Sequence, residues 1–79
     1  MARLIIANRR GHQVVEWDPA SVDTEDGRAA VEEAERIIRD ARERGCRVSR
    51  KVGGQHELYD GPFDPAVEEY QIIAPIAGG

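Results

Sequence analysis

The chain is short of almost everything that would make it an enzyme, a membrane protein or a disulfide-bonded secreted module. It has one cysteine, Cys46, which excludes an internal disulfide. With His12 and His56 as the only histidines, no spacing of metal ligands can be drawn, and a lone cysteine opening a strand reads as small apolar filler. Aromatic residues make up 5% of the sequence. No apolar run approaches the length of a membrane span, and Leu4 to Ala7 is too short for a signal peptide. Arg9 and Arg10 also follow that run instead of preceding it. The expectation is a reducing, cytoplasmic setting with no membrane partner. A formal net charge of −4 argues against nucleic acid as well. Basic residues gather only locally, at Arg9 and Arg10 and at Arg47, Arg50 and Lys51, where they read as solvated hairpin positions or as a patch for an acidic partner.

At 79 residues the chain forms one domain. A domain of this size buries only roughly 60–65% of the surface of its unfolded chain, which leaves little room for an enclosed substrate cavity. His12, His56, Glu57 and Asp60 offer no nucleophile and base at a defensible spacing, so the chain reads as a non-enzyme with no cofactor and no metal.

What is present is an ordered succession of elements. Arg3 to Asn8 and Gln13 to Trp17 are rich in branched residues and form a hairpin, with Gly11 supplying a positive φ. Pro19 ends the second strand. A helix follows, capped by Asp23 or Thr24, with Glu25 and Asp26 in its first turn and Gly45 just beyond its end. Its apolar stripe is Val31, Ala34, Ile37, Ile38 and Ala41. Glu32–Arg36, Glu35–Arg39 and Asp40–Arg44 are acid-before-base pairs four apart on the outer face. A second hairpin, CRVSRKVGGQHELYD, turns at Gly53–Gly54. Pro62 and Pro65 then break the chain into a loop with room for one helical turn at Pro65 to Glu69, and Tyr70 to Pro75 is the last strand.

This order implies an α+β fold in which one helix packs on one face of a mixed sheet and the last strand enters beside the first. Leu4–Ile5–Ile6, Val14–Val15 and Ile72–Ile73 are apolar at consecutive positions and so face both sides of the sheet. One helix cannot cover both. Either an apolar patch stays exposed on the far side or the loop around Phe63 folds over it.

The chain ends IIAPIAGG. With the element order upstream, it resembles the ubiquitin-like β-grasp proteins, and the ending is similar to those of the bacterial sulfur carriers, the small subunit of molybdopterin synthase and the thiamine-pathway carrier. The likeness is close at Pro75, Ile76, Gly78 and Gly79 and topological elsewhere. EWDP, EEAERI and FDPAVEEY also resemble stretches of small bacterial proteins of that kind. The resemblance implies a five-stranded mixed sheet in the order strand-strand-helix-strand-strand-strand over residues 1–75, with 76–79 as a flexible tail. It further implies that an adenylating enzyme of the ubiquitin-activating type acts on the Gly79 carboxylate, followed by conjugation or sulfur-transfer proteins. Gly78 and Gly79 would thread a narrow channel that a Cβ would block. Ile73, Pro75, Ile76 and Ala77 would meet the partner, and Lys51, the only lysine, would be a site for chain growth. Two fates remain open, a protein modifier or a thiocarboxylate-bearing sulfur carrier. The long helix and the DGPFDPAVEEY loop depart from the carriers and favour the modifier. A β-grasp module that binds partners without conjugation is the third reading.

Overall fold

The computed structural model describes residues 1–8 and 11–73, with the backbone alone at Asn8 and His12. Strand β1 covers Ala2–Asn8 and β2 covers Gly11–Trp17, antiparallel, with Gly11 at φ +125°. Pro19 ends β2, as its missing N–H requires, and then opens a short 3-10 turn, Pro19–Ser21, that the sequence pattern did not announce. Asp18 caps that turn by accepting from Ala20 N–H at 2.9 Å. Helix α1 spans Glu25–Glu43. Of the two candidate caps the structure uses Thr24, whose hydroxyl accepts from Gly27 N–H at 3.0 Å. At the other end Gly45 N–H donates to Arg42 O and Cys46 N–H to Ala41 O, the paired bonds that close a helix through a left-handed glycine.

Strand β3 is Arg47–Val52, β4 is Gln55–Leu58 and β5 is Glu69–Ile73. Gly53 and Gly54 sit at φ +59° and +81°, as a primed hairpin turn demands. The segment after β4 holds no helical turn. It runs as a loop to β5, with Val67 N–H donating to Asp64 O.

The five strands lie in the order β2-β1-β5-β3-β4. Only the β1–β5 pair is parallel, so the last strand does enter beside the first. It follows from the register that β2 and β3 run the same way, and α1 is the crossover between them. The fold is α+β, one helix on one face of a mixed five-stranded sheet.

The core lies between α1 and that face. Leu4, Trp17, Ala34, Ile38, Ala41, Val48, Tyr70 and Ile72 are buried there, with Val31 and Ile37 of the helix stripe half-buried against them. The chain's four aromatic rings form one file at the edge of this core. Trp17 meets Phe63 at 5.4 Å, Phe63 stacks on Tyr70 at 5.1 Å, and Tyr70 faces Tyr59 at 6.3 Å. The loop carrying Phe63 therefore closes the helix side of the sheet and leaves the other side open. Three bonds pin that loop: Trp17 Nε1–H to Pro65 O, Asp64 N–H to Tyr70 Oη, and Arg42 Nη1 to Gly61 O. Burial raises the Tyr70 hydroxyl pKa, partly opposed by the hydrogen bond from Asp64. None of the acid-before-base pairs along α1 closes to 4 Å; the ion pairs among the described residues lie on the sheet.

Gly27 sits where α1 crosses the turn before it. A Cβ there would stand 2.0 Å from the backbone oxygen of Ser21. Alanine improves helix propensity by roughly 1 kcal/mol, but a clash with backbone cannot be relieved by a rotamer change. Gly27→Ala is expected to destabilise the fold by about 1–2 kcal/mol in urea unfolding, the reverse of what helix propensity predicts.

Candidate functional site

Of the positions singled out in the sequence, Pro75, Ile76, Ala77, Gly78 and Gly79 lie outside the described residues. Ile73 and Lys51 lie within them. Ile73 closes β5, opposite Arg47, and is 42% exposed. Lys51 is half-buried on β3, opposite His56. Strand alternation puts both on the open side of the sheet, four positions apart along β3 and so about 13 Å from one another.

That open side falls into two halves. Toward the end where β5 leaves the sheet it is mixed. Val14 and Ile5 lie opposite each other, Gln71 and Ser49 follow across β5 and β3 before Leu58 on β4, and Ile73 lies opposite Arg47. Val14 is 51% and Leu58 61% exposed, large values for branched side chains. Toward the other end the same side is charged, with signs alternating across the strands. Glu16 lies opposite Arg3, Arg3 opposite Glu69, and Lys51 opposite His56.

The charged half is tied together by one chain of bonds. Arg3 Nε donates to Glu69 Oε1 at 2.7 Å, Glu69 Oε2 meets His56 Nε2 at 2.6 Å, and His56 Nδ1 meets Ser49 Oγ at 3.1 Å. The four residues come from β1, β5, β4 and β3, so the chain bolts four of the five strands. The Arg3 hydrogen bond, helped by His56, holds the Glu69 carboxyl below the usual carboxylate range against the opposing effect of burial. Arg3 is raised in return, first by its hydrogen bond to Glu69. An ionised carboxylate against Nε2 requires that nitrogen to carry a proton.

Serine, histidine and acid in sequence are the ingredients of a nucleophile and its base, and the spacing along the chain hid them. Their setting does not serve acyl chemistry. Ser49 is 5% exposed and lies mid-strand between β4 and β5, so its N–H belongs to the sheet ladder and no backbone donors converge on a developing oxyanion. The bolt holds the short, fully exposed strand β4 to the centre of the sheet. Each of its members alternates with a core or helix-side residue, which is the signal in the sequence; only register could join them. His12 is described by its backbone alone, and Glu57 pairs with Arg50 at 3.1 Å. No cluster of three or more potential metal ligands occurs among the described residues. No helix among them is long and apolar enough to cross a membrane.

A second feature lies on the helix side, at the end where β5 leaves the sheet. A groove of about 370 Å3 opens between α1 and the strand ends, its floor apolar at Ile6, Ile37, Ala41, Cys46 and Ile72 and its walls carrying Gln13, Asp40 and Arg44. Cys46 is a free, half-buried thiol in that wall.

A scan against protein-family models and searches of the curated proteins and of the solved structures return no match.

The bolt generates a pH dependence. The Glu69 pKa is lower in the folded state than its ordinary value of 4.5, so its stabilisation is fully present above that value and is lost as pH falls through the depressed one. Denaturation midpoints of the wild type are expected to fall through that acid window, and those of Glu69→Gln to start lower and fall less. His56→Ala, which breaks the link to β4, is expected to cost on the order of 1 kcal/mol at neutral pH.

Proposed function

We propose that the chain is a ubiquitin-like protein modifier, activated at the Gly79 carboxylate by an ATP-dependent adenylating enzyme and passed to targets in a bacterial cytoplasm. The observation that carries this reading is the strand order β2-β1-β5-β3-β4 with α1 as the β2-to-β3 crossover, which is compatible with a β-grasp. In that order the last strand is the central one, and the sequence running on from it is APIAGG. A tail rooted in the middle of a sheet has a rigid origin, which lowers the ordering cost of its capture.

The chemistry is done on the chain. The Gly79 carboxylate attacks the α-phosphorus of ATP, pyrophosphate leaves, and a mixed anhydride forms. A thiolate then attacks the acyl carbon and AMP leaves. Transfer of the resulting thioester to an amine gives an amide-linked adduct. Attack by a persulfide would instead release AMP and form an acyl disulfide, and a second thiolate attacking that S–S bond would leave the thiocarboxylate of a sulfur carrier and a new disulfide. The long loop between β4 and β5, pinned by Trp17, Arg42 and Tyr70, supports the modifier over the carrier. In this reading Ile73, Pro75, Ile76 and Ala77 meet the activating enzyme, and Lys51 accepts a further copy.

Non-conjugated binding is the second reading, favoured by the exposed Val14, Leu58 and Ile73 on the open side. Incubation with ATP and a candidate activating enzyme, read by intact mass, separates the two. The full chain is expected to charge. A chain lacking Gly79 and the Gly78→Val variant are expected not to, with unchanged melting temperatures, and Val14→Asp is expected to charge normally. Equal charging of the chain without Gly79 would sink the tail reading. An amide-linked adduct then marks the modifier, and a terminal thiocarboxylate marks the carrier.

A further inference from the structure

The sheet edge at β2 is complementary to itself. We propose that two copies of the chain join there, β2 antiparallel to β2, into one continuous sheet. Among the described residues β2 has β1 on one side and no strand on the other. The hydrogen bonding of β1 fixes which backbone groups of β2 are free. Arg3 N–H donates to Glu68 O at 3.0 Å, so Arg3 turns its peptide groups toward β5. Adjacent residues on a strand turn theirs opposite ways, so Ala2, Leu4 and Ile6 face β2 and engage Trp17, Val15 and Gln13. The N–H and C=O of His12, Val14 and Glu16 are left at the outer edge. These three are centred on Val14, the middle residue of Gly11–Trp17. A second copy placed with Val14 opposite Val14 sets Glu16 against the backbone of the copy's His12, and every free donor meets a free acceptor.

Side chains select that register. Val14 is 51% exposed on the open side of the sheet and covers its own copy across the two-fold axis. The two Glu16 carboxylates are kept four positions apart, about 13 Å. Sliding the axis to Glu16 preserves the bonding pattern but sets those carboxylates directly opposite each other, which is repulsive. Edge strands that stay single carry a device against pairing, such as a bulge, a proline, a lysine or a very short length. The other edge, β4, has four residues and is held by the bolt. By contrast β2 has seven, in unbroken register with β1, and its sequence GHQVVEW holds neither proline nor lysine. One added strand pair buries an area in the small class, below about 1,200 Å2, so the dimer dissociates on dilution. The pairing is independent of the Gly79 chemistry.

Sedimentation velocity and amide hydrogen exchange by NMR on the full chain, from low micromolar to millimolar concentration, test this. The sedimentation coefficient is expected to rise from monomer to dimer and stop there, because a two-fold axis closes the assembly. Exchange at the Val14 and Glu16 amides is expected to slow several-fold over the same range. Gln13 and Val15, bonded to β1, are expected to exchange slowly throughout. Val14→Lys sets like charges across the axis, and Val14→Pro removes an N–H only from the free edge. Both variants are expected to stay monomeric with the spectra of a folded chain, and Leu58→Lys on the other edge to dimerise like the wild type. A chain that is monomeric at millimolar concentration overturns the proposal. Association that survives in Val14→Lys also overturns it, by placing the contact elsewhere. Protection of the Val14 amide that comes only on adding an extended peptide of foreign sequence gives the edge to another partner, and overturns the dimer as well.

Discussion

Leu4 and Tyr70 lie opposite each other where β1 and β5 run in parallel, and both are fully excluded from solvent. This contact joins the first strand of the chain to the last, at the centre of the sheet, and the remaining structure is arranged around it. Antiparallel hairpins can form from neighbouring residues alone, but a parallel pair between strands 66 residues apart requires the intervening chain to be in place. Tyr70 gathers that intervening chain. Its ring stacks on Phe63, its hydroxyl accepts from Asp64 N–H, and Trp17 holds the same loop from β2. A loop rich in proline and acidic residues is thereby fixed without secondary structure of its own.

One helix over five strands has an unavoidable remainder. The helix side is closed by α1 and the aromatic file, and the other side must be made compatible with water by its own side chains. Half of it is, through the bolt from Arg3 to Ser49, in which each polar group is satisfied by a neighbour on another strand. Toward the other end Val14, Leu58 and Ile73 stay exposed among the polar Gln71, Ser49 and Arg47. The same division governs what the domain can do. The bolted half is committed to holding β4, and the exposed Val14, Leu58 and Ile73 and the groove at the end of β5 are uncommitted surface.

Side chains are spent with the same economy. Among the described residues, the arrangement that sets a hydroxyl beside an imidazole, Ser49 with His56, uses both for strand attachment. Arg42 is used in the same way. Its guanidinium donates to Tyr59 O and Gly61 O, and its Nε is buried without a partner among the described residues, so packing of the loop has taken precedence over complete hydrogen bonding.

The sequence by itself determined the local elements, because their causes are local. Asp23 or Thr24 and then Gly45 bound the helix, its apolar stripe has the helical period, Gly53–Gly54 permits one kind of turn, and Pro19 stops a strand. It determined as well that apolar residues would face both sides of the sheet, since consecutive positions on a strand point opposite ways. Tertiary structure alone decided which surfaces those residues meet. Phe63 could cover either side, and the choice fell to the helix side because Trp17 and Tyr70 present rings and hydrogen-bonding groups there. Arg3, Ser49, His56 and Glu69 are separated by up to 66 residues and became one bonded chain only when the strand register was set. A register shift of one residue reverses every side chain on a strand, so no local pattern can encode which four will meet.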